Sequence, residues 1–116
     1  MYNYIELDPV DLEYIAIASE SDLPPGERLY VTIDDESIIV FNIAGDLYAI
    51  GDVCSHDGNI LDDAPLEDFD VVCPRHGARF DVRNGKATSL PAVIGIPAYP
   101  VRIQDGQIEI GVPKNA

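Results

Sequence analysis

Four residues constrain this chain more than any others. Cys54-Ser55-His56 and Cys73-Pro74-Arg75-His76 contain both cysteines and both histidines of the sequence, and sixteen residues separate His56 from Cys73. Every Cys and His therefore falls in one C-x-H…C-x-x-H constellation, which works as a unit only if the fold brings two short loops side by side. In a reducing compartment such residues are metal ligands more often than halves of a disulfide.

The sequence around these loops reads as β structure. Tyr14–Ala18 is a short β-rich run, and Leu29–Ile33, Ile38–Ile43 and Leu47–Ile50 form a meander. Asp34-Asp35-Glu36-Ser37 and Gly45-Asp46 supply its turns. Phe69–Val72 leads into the second motif and Ala78–Val82 leads out of it. Asn84-Gly85 and Asp105-Gly106 are hairpin signals, the latter between Val101–Gln104 and Gln107–Ile110. Nine Pro and nine Gly interrupt the chain too often for a long amphipathic helix, and Asp8–Tyr14 has room for one helical turn. The expected architecture is a single all-β domain over residues 1–116, with a ligand-bearing insertion over about 51–91. Tyr14, Tyr30, Phe41, Tyr48 and Phe80 occupy strand patterns and are expected in the core.

Each motif lies where a β run ends and a turn begins, next to Gly58 in one case and Gly77 in the other, with Pro74 stiffening the second loop. One zinc ion in a Cys₂His₂ site is one reading. Zinc ligand pairs usually come as C-x₂₋₄-C and H-x₃₋₅-H, whereas here each loop carries one Cys and one His. A single residue between Cys54 and His56 strains both onto one tetrahedral ion. The spacing is comfortable when Cys and His serve two adjacent metals. A [2Fe–2S] cluster does that, with Cys54 and Cys73 on one iron and His56 and His76 on the other.

The segment from Cys54-Ser-His to Cys73-Pro-Arg-His-Gly77-Ala-Arg-Phe80-Asp81 resembles a Rieske iron–sulfur protein. The likeness extends to Leu23-Pro24-Pro25-Gly26-Glu27, Ile39-Val40-Phe41-Asn42 and Gly45–Ile50, which resemble the opening strands of small Rieske ferredoxins. Pro91-Ala92 and Tyr99-Pro100-Val101-Arg102 resemble their closing strands. The resemblance implies a Rieske fold, an antiparallel β-sandwich or barrel base with a small cluster-binding subdomain of two ligand loops. In such a cluster two ferric ions, two sulfides and two thiolates sum to zero charge, so an added electron is accepted more readily than by a Cys₄ cluster. The Rieske range is roughly −150 to +300 mV. High-potential respiratory Rieske proteins carry an extra Cys in each loop, where this chain has Asn59 and Arg75. They also place hydroxyl donors after the second His, where this chain has Ala78 and Phe80. A potential near the low end of the range is expected.

Charge bears on partners. Twenty-one acids against seven bases give a net charge of −14, which disfavours nucleic acid and anionic membranes. Seven acids and no Lys or Arg lie between Asp52 and Asp70, and Arg75, Arg79, Arg83 and Lys86 follow against Asp81. This pattern suggests a two-signed rim near the cluster. No apolar run approaches the ~20 residues of a membrane span, and the N-terminus lacks the features of a secretory signal, so a cytoplasmic location is expected. No obvious apolar interface stripe stands out, and a monomer is expected. The resemblance implies a low-potential electron carrier of an aromatic-ring-hydroxylating dioxygenase system, active in aromatic hydrocarbon catabolism. It would pass electrons from a flavin-dependent ferredoxin reductase to the terminal oxygenase, and would not itself be an enzyme. A Rieske oxygenase would need a mononuclear iron with two further His, and this chain has no third His. The alternative is a small Rieske subunit of a larger reductase such as nitrite reductase.

Overall fold

The computed structural model describes residues 3–54, 60–75, 77–89 and 94–114. Within them the chain runs through β1 (Leu12–Ser19), β2 (Arg28–Ile33), β3 (Glu36–Ile43) and β4 (Asp46–Gly51). Four short strands follow: β5 (Leu66–Glu67), β6 (Asp70–Val72), β7 (Arg79–Asp81) and β8 (Ala87–Ser89). The chain closes through β9 (Ala98–Tyr99), β10 (Val101–Gln104) and β11 (Gln107–Pro113). Helix among the described residues is limited to 3₁₀ turns at Tyr4–Glu6, Pro9–Asp11 and Glu20–Asp22. The Pro9–Asp11 turn lies where a single helical turn is expected from the sequence, capped by the Asp8 side chain on the Val10 N–H.

The strands form three sheets: β1-β11-β10, β2-β3-β4-β9 and β5-β6-β7-β8. The expected meander is the β2-β3-β4 part of the middle sheet, antiparallel throughout. The third sheet lies wholly between residues 66 and 89. The middle sheet is buried on both faces. Ile39, Phe41, Ile50 and Ala98 enter a core shared with Cys54, Cys73, Val71 and Phe80. Ile38, Val40, Ala49 and Tyr99 enter a second core with Ile108, Ile110 and Val112. Successive strand side chains point to opposite faces, so a strand between two cores is apolar at every position. That is why Ile38-Ile39-Val40-Phe41 is an unbroken apolar run; each is at most 1% exposed and contributes about 2 kcal/mol by burial.

Turn chemistry sets the registers. Ile33 faces Glu36, Ile43 faces Asp46 and Gln104 faces Gln107, so each hairpin turns on two residues. Asp34 and Asp35, Ala44 and Gly45, and Asp105 and Gly106 all have positive φ, as a type I′ turn requires. Glu36 and Ser37 therefore belong to β3 and not to the preceding turn, a correction to the four-residue turn read from sequence. Phe41 and Phe80 are fully buried as expected, but Tyr14 and Tyr48 are only half-buried and Tyr30 is 49% exposed. Tyr30 departs from the expectation because β2 is an edge strand, and its hydroxyl donates to the Asp62 carbonyl. Gly85 is where the third sheet meets the chain returning to β9. Its carbonyl accepts from the Ile96 N–H at 2.8 Å, and a Cβ there would lie 2.1 Å from the Ile96 carbonyl oxygen.

Candidate metal centre

Cys54 follows the end of β4 and Cys73 follows the end of β6. Both are fully buried, neither is in a disulfide, and both belong to the same core, with Leu61, Val71, Ala78 and Phe80. The structure thus brings together two of the four residues singled out from sequence. The other two, His56 and His76, lie outside the described residues, as do Asn59, Pro91 and Ala92.

The second loop is the six-residue connection of the β6–β7 hairpin, in which Val72 pairs with Arg79. It is closed by two backbone bonds: Cys73 N–H to the Ala78 carbonyl at 2.7 Å, and Gly77 N–H to the Cys73 carbonyl at 2.9 Å. Gly77 has φ +76°, a conformation in which glycine has no Cβ to clash. The loop therefore returns on itself with Cys73 facing inward, walled by Ala78 and Phe80, each 0% exposed.

The first loop leaves β4 at Gly51 and is closed by a side chain. Asp52 Oδ1 accepts from the N–H groups of Leu61 and Asp62, both at 2.8 Å. Asp52 is itself held by its own N–H to the Ser37 carbonyl at 2.8 Å. From the other side, Arg28 Nη1 and the Tyr30 hydroxyl each donate to the Asp62 carbonyl at 3.1 Å. Sequence reasoning missed the contacts of these three residues. Asp52 reads as one acid among seven, and Arg28 and Tyr30 lie more than thirty residues from their acceptor. At Ala64 the backbone needs no left-handed conformation; the N–H donates to the Leu61 carbonyl and the methyl is buried.

The charges flanking the loops are largely matched. Arg79 bridges Glu67 at 2.8 Å and Asp70 at 3.3 Å. Arg83 clasps both oxygens of Asp81, at 3.0 and 2.8 Å, and lies 4.2 Å from the Phe69 ring centroid. Burial pushes the Asp81 carboxyl upward, but hydrogen bonds from the Arg83 side chain and backbone, and the charges of Arg83 and Lys86, outweigh it and hold the group below the usual carboxylate range. The expected two-signed rim is corrected to this extent: the charges of Arg79 and Arg83 are matched within the third sheet. Asp62, Asp63 and Asp68 remain exposed at the surface.

This donor set suits an iron–sulfur core. Two soft sulfur donors, Cys54 and Cys73, belong to one apolar core that excludes water. Among the described residues, two nearby carboxylates are already engaged: Asp52 holds backbone N–H groups and Asp81 holds Arg83. The buried polar side chains among the described residues are Asn42 and Asp81. Asn42 donates to the Leu23 carbonyl and accepts from the Gly45 N–H. Neither supplies a hydroxyl that could donate to a cluster sulfur. No group of three or more His, Cys, Asp and Glu converges among the described residues, and both histidines lie outside them.

Comparison with known proteins agrees with this chemistry. Residues 13–100 match the family described as the Rieske [2Fe–2S] domain. The chain is 42% identical over 96 residues to the 3-phenylpropionate/cinnamic acid dioxygenase ferredoxin subunit of Escherichia coli K12, spanning 81% of this chain and 89% of that one. It is 32% identical over 99 residues to the ferredoxin component of the naphthalene 1,2-dioxygenase system of Pseudomonas putida, spanning 85% and 95%. The solved ferredoxin of carbazole 1,9a-dioxygenase from Nocardioides aromaticivorans IC177 superimposes with a TM-score of 0.78 at 32% identity, covering 87% of this chain and 98% of that one.

Proposed function

The chain belongs to the Rieske [2Fe–2S] domain family, and from that membership we propose a one-electron carrier in which Cys54 and Cys73 hold one iron of the cluster and His56 and His76 the other. When bound, the cluster supplies storage for a single electron. The polypeptide supplies the rest. The two loops fix the ligands, Ala78 and Phe80 exclude water from the sulfur side, and the acids Asp62, Asp63 and Asp68 leave a negative surface nearby. In this reading residues 1–116 are one Rieske domain, and about 51–91 form its cluster-binding subdomain. The carrier takes electrons from a flavin-dependent reductase and delivers them to a terminal aromatic-ring-hydroxylating oxygenase, as a monomer in the cytoplasm. Its relatives in the 3-phenylpropionate and naphthalene systems are ferredoxin components, not oxygenases, which supports that role. No helix among the described residues is long and apolar enough to cross a membrane.

One observation carries the reading: two fully buried cysteines on separate loops share one apolar core. The potential should lie near the low end of the Rieske range, because Ala78 and Phe80 present no side-chain donor and no Ser, Thr or Tyr is among the buried residues of the core that holds Cys54 and Cys73; the buried Tyr99 belongs to the other core. The test is spectroscopic and kinetic. The purified protein should be red-brown and give a rhombic EPR signal on reduction. Cys54→Ser and Cys73→Ser should each lose that signal. The reduced protein should be reoxidised by a terminal oxygenase supplied with its aromatic substrate. A colourless protein with one zinc per chain, or a midpoint well above 0 mV, would overturn the corresponding part of the reading.

A further inference from the structure

Asp62 lies in the turn that closes the first ligand loop and has φ +52°, a left-handed conformation that is sterically disfavoured for a residue with a Cβ. Its peptide is held on both sides. The N–H donates to Asp52 Oδ1 at 2.8 Å, and the carbonyl accepts from Arg28 Nη1 and the Tyr30 hydroxyl at 3.1 Å each. These last two donors come from β2, an edge strand that carries no ligand. The register explains their reach. Arg28 is paired with Phe41 and Tyr30 with Ile39, and residues directly opposite one another share a face of the sheet. Phe41 and Ile39 face the core that contains Cys54 and Cys73, so Arg28 and Tyr30 rise on the ligand-loop side. The Arg28 guanidinium is steadied 4.7 Å from the Phe41 ring centroid.

We propose that Arg28 and Tyr30 are positioning residues for the iron–sulfur cluster: by clamping the Asp62 carbonyl they fix the exit of the loop that carries Cys54 and His56. The inference rests on the ligand assignment above. Both hydrogen bonds are exposed, so their contribution to global stability is small. Their effect lies in geometry, transmitted through one peptide and the Asp52 carboxylate to the loop.

The test uses the cluster-loaded protein and the double variant Arg28→Met/Tyr30→Phe. Its far-UV circular dichroism should match the parent. Its EPR line shape should broaden or shift, and an iron chelator should bleach it about tenfold faster, equivalent to about 1.4 kcal/mol of barrier. Tyr30→Phe alone, which keeps the ring, should show the same changes in smaller measure and serves if the double variant does not fold. Arg28→Lys beside Tyr30→Phe should recover part of the slow bleaching, because an ammonium still donates to a carbonyl. Arg102→Met removes an ion pair to Glu109 in another sheet and should leave spectrum and bleaching unchanged. Parental line shape and bleaching in the double variant, or equal acceleration by Arg102→Met, would overturn the proposal. The Cys54→Ser and Cys73→Ser variants report separately: if they keep the parental spectrum, the ligand assignment fails whatever Arg28 and Tyr30 do.

Discussion

Asp81 shows how little a count of charges says about their use. In the sequence, Arg83 and Asp81 look like opposite signs on a rim; in the structure the turn after β7 folds the guanidinium onto the carboxylate, and the Arg83 N–H joins at 2.9 Å. The carboxylate is depressed in the folded chain relative to about 3.9 unfolded. A depressed acid contributes stability that is fully present above the unfolded value and fades as pH falls through the folded one. Asp81→Asn should therefore lower the melting temperature at pH 7, though only modestly because the Arg83 side chain is half exposed. The gap from the parent should narrow as both are titrated from pH 5 toward pH 3. A gap that stays constant over that range would exclude the pair as its source. That Cys54 and Cys73 belong together was legible at this scale because Cys and His are scarce and their chemistry is specific, and both lie in one core. Tyr30 was not, because a tyrosine in a strand pattern looks the same whether it fills a core or clamps a loop.

At the scale of elements, the long strands were readable from apolar runs and the Asp105-Gly106 hairpin from its residues. β5, β8 and β9 were not, since two or three residues show no periodicity. Their pairing is enforced from outside, by the ties between Val72 and Pro65, Asp81 and Lys86, and Gly51 and Pro97. The β3–β4 turn was placed by Gly45, but nothing in the sequence marks Ala44 as left-handed; it is exposed with φ +55°. Asn tolerates that conformation and makes Ala44-Gly45 the preferred Asn-Gly pair of a type I′ turn. Ala44→Asn should raise stability by about 0.5–1 kcal/mol, read as a higher melting temperature of the loaded protein, with an unchanged EPR signal. A lower melting temperature would contradict the assigned turn.

At the scale of the molecule, the two cores were hidden because they depend on which strands stack, and an apolar run alone does not distinguish one buried face from two. Their shared wall is β3, which contains no Cys or His but gives Ile39 and Phe41 to the core of the cysteines and Ile38 and Val40 to the other. Any local opening on the cysteine side therefore uncovers a strand on which the rest of the protein depends. Amide hydrogen exchange should register this. In the loaded protein β3 should be among the slowest-exchanging segments. Chelating the iron should speed exchange at Ile39 and Phe41 as well as in the ligand loops, while β11, packed on the far core, changes much less. Exchange that quickens in the loops alone would mean that the inorganic centre is insulated from the sheet beneath it. The expected outcome is the opposite: proton exchange at a strand without ligands would report whether the cluster is present.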